Sequence, residues 1–221
     1  RRLVIATKHQ KEIVIAPLIE HAIGVKCFTN EVFDTDTLGT FSGEVDRKND
    51  PLTTVREKCL MAMKLSNCDL GIANEGSFGA HPSAFFANAD DEFLIFIDKK
   101  NNLEIIAREL SMETNFNGQE ITTEKELMDF ADLAQFPSHA LILSKSQDDK
   151  TDIIKGITDV KHLKQAFNNL NKVSNSIYAE TDMRAMYNPS RMNVIEQATI
   201  KLIRKIKNTC PDCKTPGFDI V

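Results

Sequence analysis

The chain predicts an α/β fold, a mixed sheet with flanking helices, on three observations. An apolar run at residues 2–7 is followed by a stretch of helical periodicity. A helix opener, Asp50-Pro51, stands before a second periodic stretch, which leads into a third apolar run, Leu70-Gly71-Ile72-Ala73. Strand, helix, strand, helix, strand in this order predicts strands that are at least partly parallel.

Residues 2–7 read as a buried first strand. A helix follows over 10–22, with Ile13, Val14, Pro17, Leu18 and Ala22 on its apolar side and Pro17 expected to shorten or bend it. Residues 25–28 are a second short strand. Residues 30–50 lack periodicity, hold Gly39 and Gly43, and read as a long loop, which in a compact domain is often functional. Asp50 caps the next helix, with proline at its first position. Its buried stripe is Leu52, Val55, Cys59, Ala62 and Met63, while Arg56, Glu57 and Lys64 fall on other faces. The strand ending at Ala73 then delivers Glu75 into a turn containing Gly76 and Gly79, before His81-Pro82.

Beyond Pro82, residues 92–98 and 103–108 read as an antiparallel hairpin around a turn at 99–102, its second strand extending at most to Phe116. Thr123 and Glu126 form a capping box for a helix burying Leu127, Phe130, Ala131 and Ala134. Residues 139–143 are a buried strand, and 147–150 a polar turn. Thr158 is expected to cap a helix carrying Val160, Leu163, Phe167 and Leu170. Asn188-Pro189 opens the last helix, buried through Met192, Ile195, Thr199, Leu202 and Ile206. With no internal repeat or linker, residues 1–207 read as one α/β domain and 208–221 as a short appendix.

Hydrophobic content of 42% and charged content of 27% are those of an ordinary globular protein. No apolar run is long enough to cross a bilayer, no signal-peptide pattern opens the chain, and the odd count of five cysteines suits a reducing cytoplasm. Arg1 in place of Met implies a few preceding residues. A net charge of -5 argues against a backbone-gripping nucleic-acid binder. The cluster Lys201, Arg204, Lys205 and Lys207 reads as a solvated helix end.

Four constellations could carry chemistry. Thr7-Lys8-His9-Gln10-Lys11 sets two lysines beside a helix N-terminus, suited to phosphate, though an exposed basic turn has the same pattern. Glu57, Asp69 and Glu75 are acids around one strand; magnesium bridging phosphates needs one or two carboxylates, and Glu75 is the favoured ligand. Arg184 and Arg191 could grip phosphate, or else pair with Glu180 and Asp182. Cys210-Pro211-Asp212-Cys213 is half of a zinc ribbon: the other pair lies past the present end, or another chain supplies it, or the thiols are free. Cys27, Cys59 and Cys68 read as core residues, and so do the lone histidines His81 and His139.

The strings Ile5-Ala6-Thr7-Lys8-His9, Gly39-Thr40-Phe41, Asp69-Leu70-Gly71, Glu75-Gly76-Ser77-Phe78-Gly79, Glu113-Thr114-Asn115-Phe116, Phe136-Pro137-Ser138-His139 and Glu180-Thr181-Asp182-Met183-Arg184-Ala185 with Asn188-Pro189 resemble a family of uncharacterised bacterial proteins. That resemblance implies a further Cys-x-x-Cys in longer members and brings no function. The first eighty residues also resemble, more faintly, the inosine/xanthosine triphosphate pyrophosphatases. Thr7 and Lys11 match that family's first turn, with Lys8 replacing its asparagine, and Asp69 to Gly76 follow its glycine-rich strand. Thr53 stands where that family carries a helix acid, and Ser77 replaces its last glycine.

The resemblance implies a magnesium-dependent nucleotide hydrolase, cleaving non-canonical purine nucleoside triphosphates to monophosphate and pyrophosphate. Glu75 and Lys11 are the expected catalytic residues, Glu75 holding magnesium. Thr7, Lys8, His9, Arg184 and Arg191 are the expected substrate contacts, and Cys210 and Cys213 the zinc half site. The expected partner is a small-molecule nucleotide, with neither membrane nor nucleic acid, and a homodimer left open. The alternative is a non-catalytic binding module whose zinc ribbon docks a partner.

Overall fold

The computed structural model describes residues 1–30 and 50–219; the Gly39-Thr40-Phe41 string and the long loop expected at 30–50 lie almost wholly outside them. By contacts between residues the chain divides into two units that interleave along the sequence. One comprises Arg1–Phe78, Asp90–Ser111 and Met192–Val221, the other Gly79–Ala89 and Met112–Arg191.

The first unit grows from the run Leu3-Val4-Ile5-Ala6, buried on both faces as a central parallel strand must be. This is β1 (Arg2–Ala6), followed by α1 (Glu12–Ile23), β2 (Lys26–Thr29), α2 (Pro51–Leu65), β3 (Leu70–Ala80), β4 (Asn88–Asp98) and β5 (Leu103–Ser111). The sheet order is β2-β1-β3-β4-β5. β1 pairs in parallel with β2 and β3, whereas β4 and β5 form the expected antiparallel hairpin, so the sheet is mixed.

α1 ends at Gly24, whose φ of 66° makes the left-handed cap that glycine adopts without strain. Its buried side differs from the one expected. Ile15 and Ile19 are buried, while Ile13 is 60% exposed. Lys11 precedes them at the same four-residue spacing, which draws its side chain inward. The helix runs through Pro17 without ending, because the bond that proline forfeits belongs to the carbonyl of solvent-facing Ile13. α2 is capped as expected: Asp50 accepts from the N–H groups of Leu52 and Thr53, both at 3.0 Å. Its buried stripe is Thr54, Val55, Lys58, Cys59, Ala62 and Met63. Val4, Ala6, Ala73, Ile95 and Ile97 pack against it.

β3 corrects the expected turn at 74–80. The strand does not stop at Ala73 but continues extended to Ala80. Gly76 serves close approach there, since a Cβ on it would lie 2.4 Å from Glu92 Oε1.

The second unit holds β6 (Gly118–Ile121), α3 (Glu124–Leu133), β7 (Leu141–Ser144), β8 (Ile154–Ile157), α4 (Val160–Leu170) and β9 (Ile177–Thr181). Its sheet is antiparallel throughout, in the order β6-β9-β7-β8. Leu127, Phe130 and Ala131 of α3 and Leu163, Phe167 and Leu170 of α4 cover Ile121, Leu141, Leu143, Ile157, Ile177 and Ala179 in one core. The Thr123–Glu126 capping box opens α3 as expected. α4 is capped by Asp159, accepting from His162 N–H at 2.8 Å, and not by Thr158. α5 (Pro189–Lys207) begins in this unit and ends in the first. Among the described residues no helix is long and apolar enough to cross a membrane.

Candidate functional site

The chain leaves β1 toward β2 on one side, then returns past it to β3 on the other. The carboxyl end of β1, beside the middle of β3, therefore marks the point where the crossovers diverge, the usual ligand crevice of an open α/β sheet. β1 ends at Ala6, opposite Ala73, so Asn74 and Glu75 stand beyond its last paired residue.

The turn joining β1 to α1 carries two consecutive non-glycine residues in the left-handed region, His9 at φ 57° and Gln10 at φ 61°. Such backbone strain concentrates at ligand-binding loops. Thr7 Oγ1 is buried there without a hydrogen-bond partner among the described residues. Lys8 is exposed and His9 half-buried. Lys11 turns inward, 7% exposed, and its Nζ donates to Asn74 Oδ1 at 2.7 Å. Asn74 Nδ2 then donates to Glu92 Oε2 at 2.8 Å and to the Phe93 carbonyl at 3.1 Å. Glu92 and its strand neighbour Asp90 are fully buried. The carboxylate of Glu92 rests where Gly76 leaves room.

Successive residues of a strand face opposite sides. Asn74 and Gly76 therefore share a face with Glu92, while Glu75 points the other way, toward α2. There it accepts from Lys58 Nζ in an ion pair whose two side chains are 3% and 9% exposed. Lys11 and Glu75, expected as joint catalytic residues, thus lie beside the end of β1 but on the two faces of β3. Lys11 is held by a neutral amide and Glu75 by an ammonium group.

The remaining expected residues are placed elsewhere. Asp69 precedes β3 and pairs with Arg1 at 3.0 Å; six residues of extended strand, about 20 Å, separate it from Glu75. Glu57 is half-buried on α2. Among the described residues no three His, Cys, Asp or Glu side chains gather as a metal cluster. Arg184 and Arg191 belong to the second unit and are bound within it. Arg184 grips Asp182, with Nε 3.0 Å from Oδ1, and stacks on Tyr187 at 4.6 Å. Glu180 pairs with Lys150 at 2.9 Å. Arg191, 1% exposed, donates through Nη1 to the Met183 carbonyl.

His81 Nδ1 accepts from the N–H groups of Ser83 and Ala84, both at 3.1 Å, and shapes the loop between β3 and β4. Cys210 and Cys213 sit on a tight knuckle closed by the Thr209–Pro216 bridge, in which Lys214 N–H bonds the Cys210 carbonyl at 3.0 Å. Hydrogen bonds from Thr215, then from Cys210, hold the exposed Cys213 thiol below its usual range. Burial instead pushes the Cys59 thiol up to about 12, as befits a core cysteine.

Lys58, Asn74, Asp90 and Glu92 are the site residues that sequence reasoning passed over. The signals existed. Lys58 lies between Val55 and Ala62 on the buried stripe of α2, and Asp90 and Glu92 share strand parity with buried Leu94 and Phe96. A charged residue at a core position is the informative exception.

A family model described as a domain of unknown function, DUF6671, matches residues 58–221, and the chain belongs to that family. No curated protein matches the chain.

Proposed function

We propose that the chain is a magnesium-dependent nucleotide hydrolase whose site lies at the carboxyl end of β1, beside β3. One observation supports this most: two buried lysines flank the same stretch of β3, Lys11 on Asn74 from one face and Lys58 on Glu75 from the other, next to the strand end where an open sheet of this connectivity receives ligands. Ammonium groups held by side chains can exchange those partners for phosphate oxygens. The carboxylate oxygens of Glu75 suit a hard cation, which needs few protein ligands when phosphates supply the rest. Magnesium so held would neutralise charge developing on the phosphoryl group.

In this reading Lys11 and exposed Lys8 steady the phosphates, with Thr7 Oγ1 beside them. Lys58, released from Glu75, offsets negative charge on the α2 side. Water cleaves the bond between the α and β phosphates, leaving monophosphate and pyrophosphate. The resemblance to inosine/xanthosine triphosphate pyrophosphatases favours non-canonical purine triphosphates as substrates.

The test is pyrophosphate release from a panel of nucleoside triphosphates with magnesium. Turnover that falls at least a hundredfold in Glu75→Gln supports the site. Turnover unchanged in that variant removes Glu75 from it.

The knuckle at Cys210 and Cys213 favours a second reading, a non-catalytic module whose zinc-held ribbon docks a partner. Two converging thiols form one edge of a tetrahedral zinc site. Zinc bound through both cysteines, with no nucleotide turned over, would favour that reading.

A further inference from the structure

Two strings that the proposed hydrolase leaves unused, Phe136-Pro137-Ser138-His139 and Asn188-Pro189-Ser190, meet in the second unit. His139 is 4% exposed and lies between two serine hydroxyls. Its Nδ1 is 3.0 Å from Ser138 Oγ, and its Nε2 is 3.0 Å from Ser190 Oγ. The proton inventory fixes which way these bonds run. Ser138 Oγ spends its own hydrogen on the Gln135 carbonyl at 2.6 Å, so toward His139 it accepts, and Nδ1 carries the ring hydrogen. Nε2 is then the bare nitrogen, as the Ser190 backbone N–H aimed at it from 3.2 Å also requires. With Nε2 accepting, Ser190 Oγ–H donates to it too, sharing its single lone pair with the backbone N–H.

We infer that Ser190 is an activated nucleophile, with His139 as its general base and Ser138 as the positioning residue that sets the tautomer. The arrangement has the parts such a site needs: a nucleophile in hydrogen-bond contact with a neutral imidazole, and a third group orienting that imidazole. Burial lowers the His139 pKa from its usual value and keeps the ring neutral near pH 7. Ser190 is half-buried in the first turn of α5, at the positive end of the helix dipole, where an oxyanion is favoured.

The ligand class is a small carboxylic or phosphonic ester. Oγ bonds to the ester carbonyl carbon as its proton passes to Nε2. The carbon–oxygen bond to the alcohol then breaks, and the alcohol leaves with that proton. Water attacks the acyl-serine, gives one proton to Nε2, and releases the acid while Oγ regains its hydrogen.

The test is a fluorophosphonate probe on the full chain, with the labelled peptide read by mass spectrometry. There Oγ displaces fluoride from phosphorus and the proton departs with it as hydrogen fluoride. The expected result is labelling at Ser190, absent after heat denaturation and absent in Ser190→Ala. The rate should fall as pH drops below the range in which His139 is neutral. His139→Gln should slow it at least a hundredfold. Ser138→Ala, an exposed change that spares the fold, should slow it less while shifting the pH profile. No labelling of the folded wild type, labelling at other residues only, or a rate indifferent to pH and to His139 overturns the inference. None of these outcomes depends on nucleotide turnover.

Discussion

Buried polar groups in the two units are tied down in different ways. In the first, Lys11 and Lys58 reach other side chains, Asn74 and Glu75, so each contact has a mobile end on both sides. In the second, the groups around the start of α5 are anchored largely to backbone. Arg191 donates to the Met183 carbonyl, Asn115 Nδ2 to the Ala134 carbonyl at 2.8 Å, and Asp182 accepts from Gly156 N–H at 3.1 Å. Asn188 joins this web, donating to Asn115 Oδ1 at 2.8 Å and accepting from Arg191 N–H at 3.0 Å.

A contact between two side chains has a mobile end on each side, a side chain bonded to backbone only one, so the first set rearranges more readily. The first set is the one suited to admitting a ligand, the second to scaffolding.

The largest effect expected from this contrast is in the first unit. Lys58→Met removes the ammonium group that neutralises the buried Glu75 carboxylate and should lower stability by about 3–5 kcal/mol. The double variant Lys58→Met/Glu75→Leu should recover most of it, because a matched apolar pair replaces the matched ions. Urea unfolding of both variants decides: equal losses in single and double would show that the ion pair is not what stabilises this spot.

Asn188→Ala comes next. It removes the cap of α5 and leaves Asn115 Oδ1 without its donor, at about 2–3 kcal/mol. It should leave nucleotide turnover intact, which separates scaffold from site. Gly76→Ala is the smallest, about 1–3 kcal/mol, since a methyl must displace the Glu92 carboxylate. A neutral Gly76→Ala melting curve would mean Glu92 is free to swing away.

Much of the fold was legible and less of the site. Asp50-Pro51, the Thr123–Glu126 box and Asn188-Pro189 mark helix starts through capping chemistry that acts locally, so sequence alone finds them. Strands β6, β8 and β9 escaped. They are four or five residues long, and Gly118-Gln119-Glu120-Ile121 is half polar. Such segments become strands only because neighbours pair with them, a tertiary effect no local pattern carries. The turn assigned to 74–80 failed for a related reason: glycines usually read as turns, but Gly76 makes room for a buried carboxylate in an extended strand. Glu75, expected in a turn after the strand, is a buried acid within β3. Its partner, Lys58, was hidden among the ordinary charges of an amphipathic helix.

The most direct measurement is a crystal structure of the full chain with magnesium and a non-hydrolysable nucleoside triphosphate. The account predicts phosphate density against Lys11 and Lys58 at the end of β1 beside β3, with the Lys58–Glu75 pair opened. Triphosphate bound elsewhere, or an unchanged Lys58–Glu75 pair beside an empty crevice at saturating nucleotide, would contradict it.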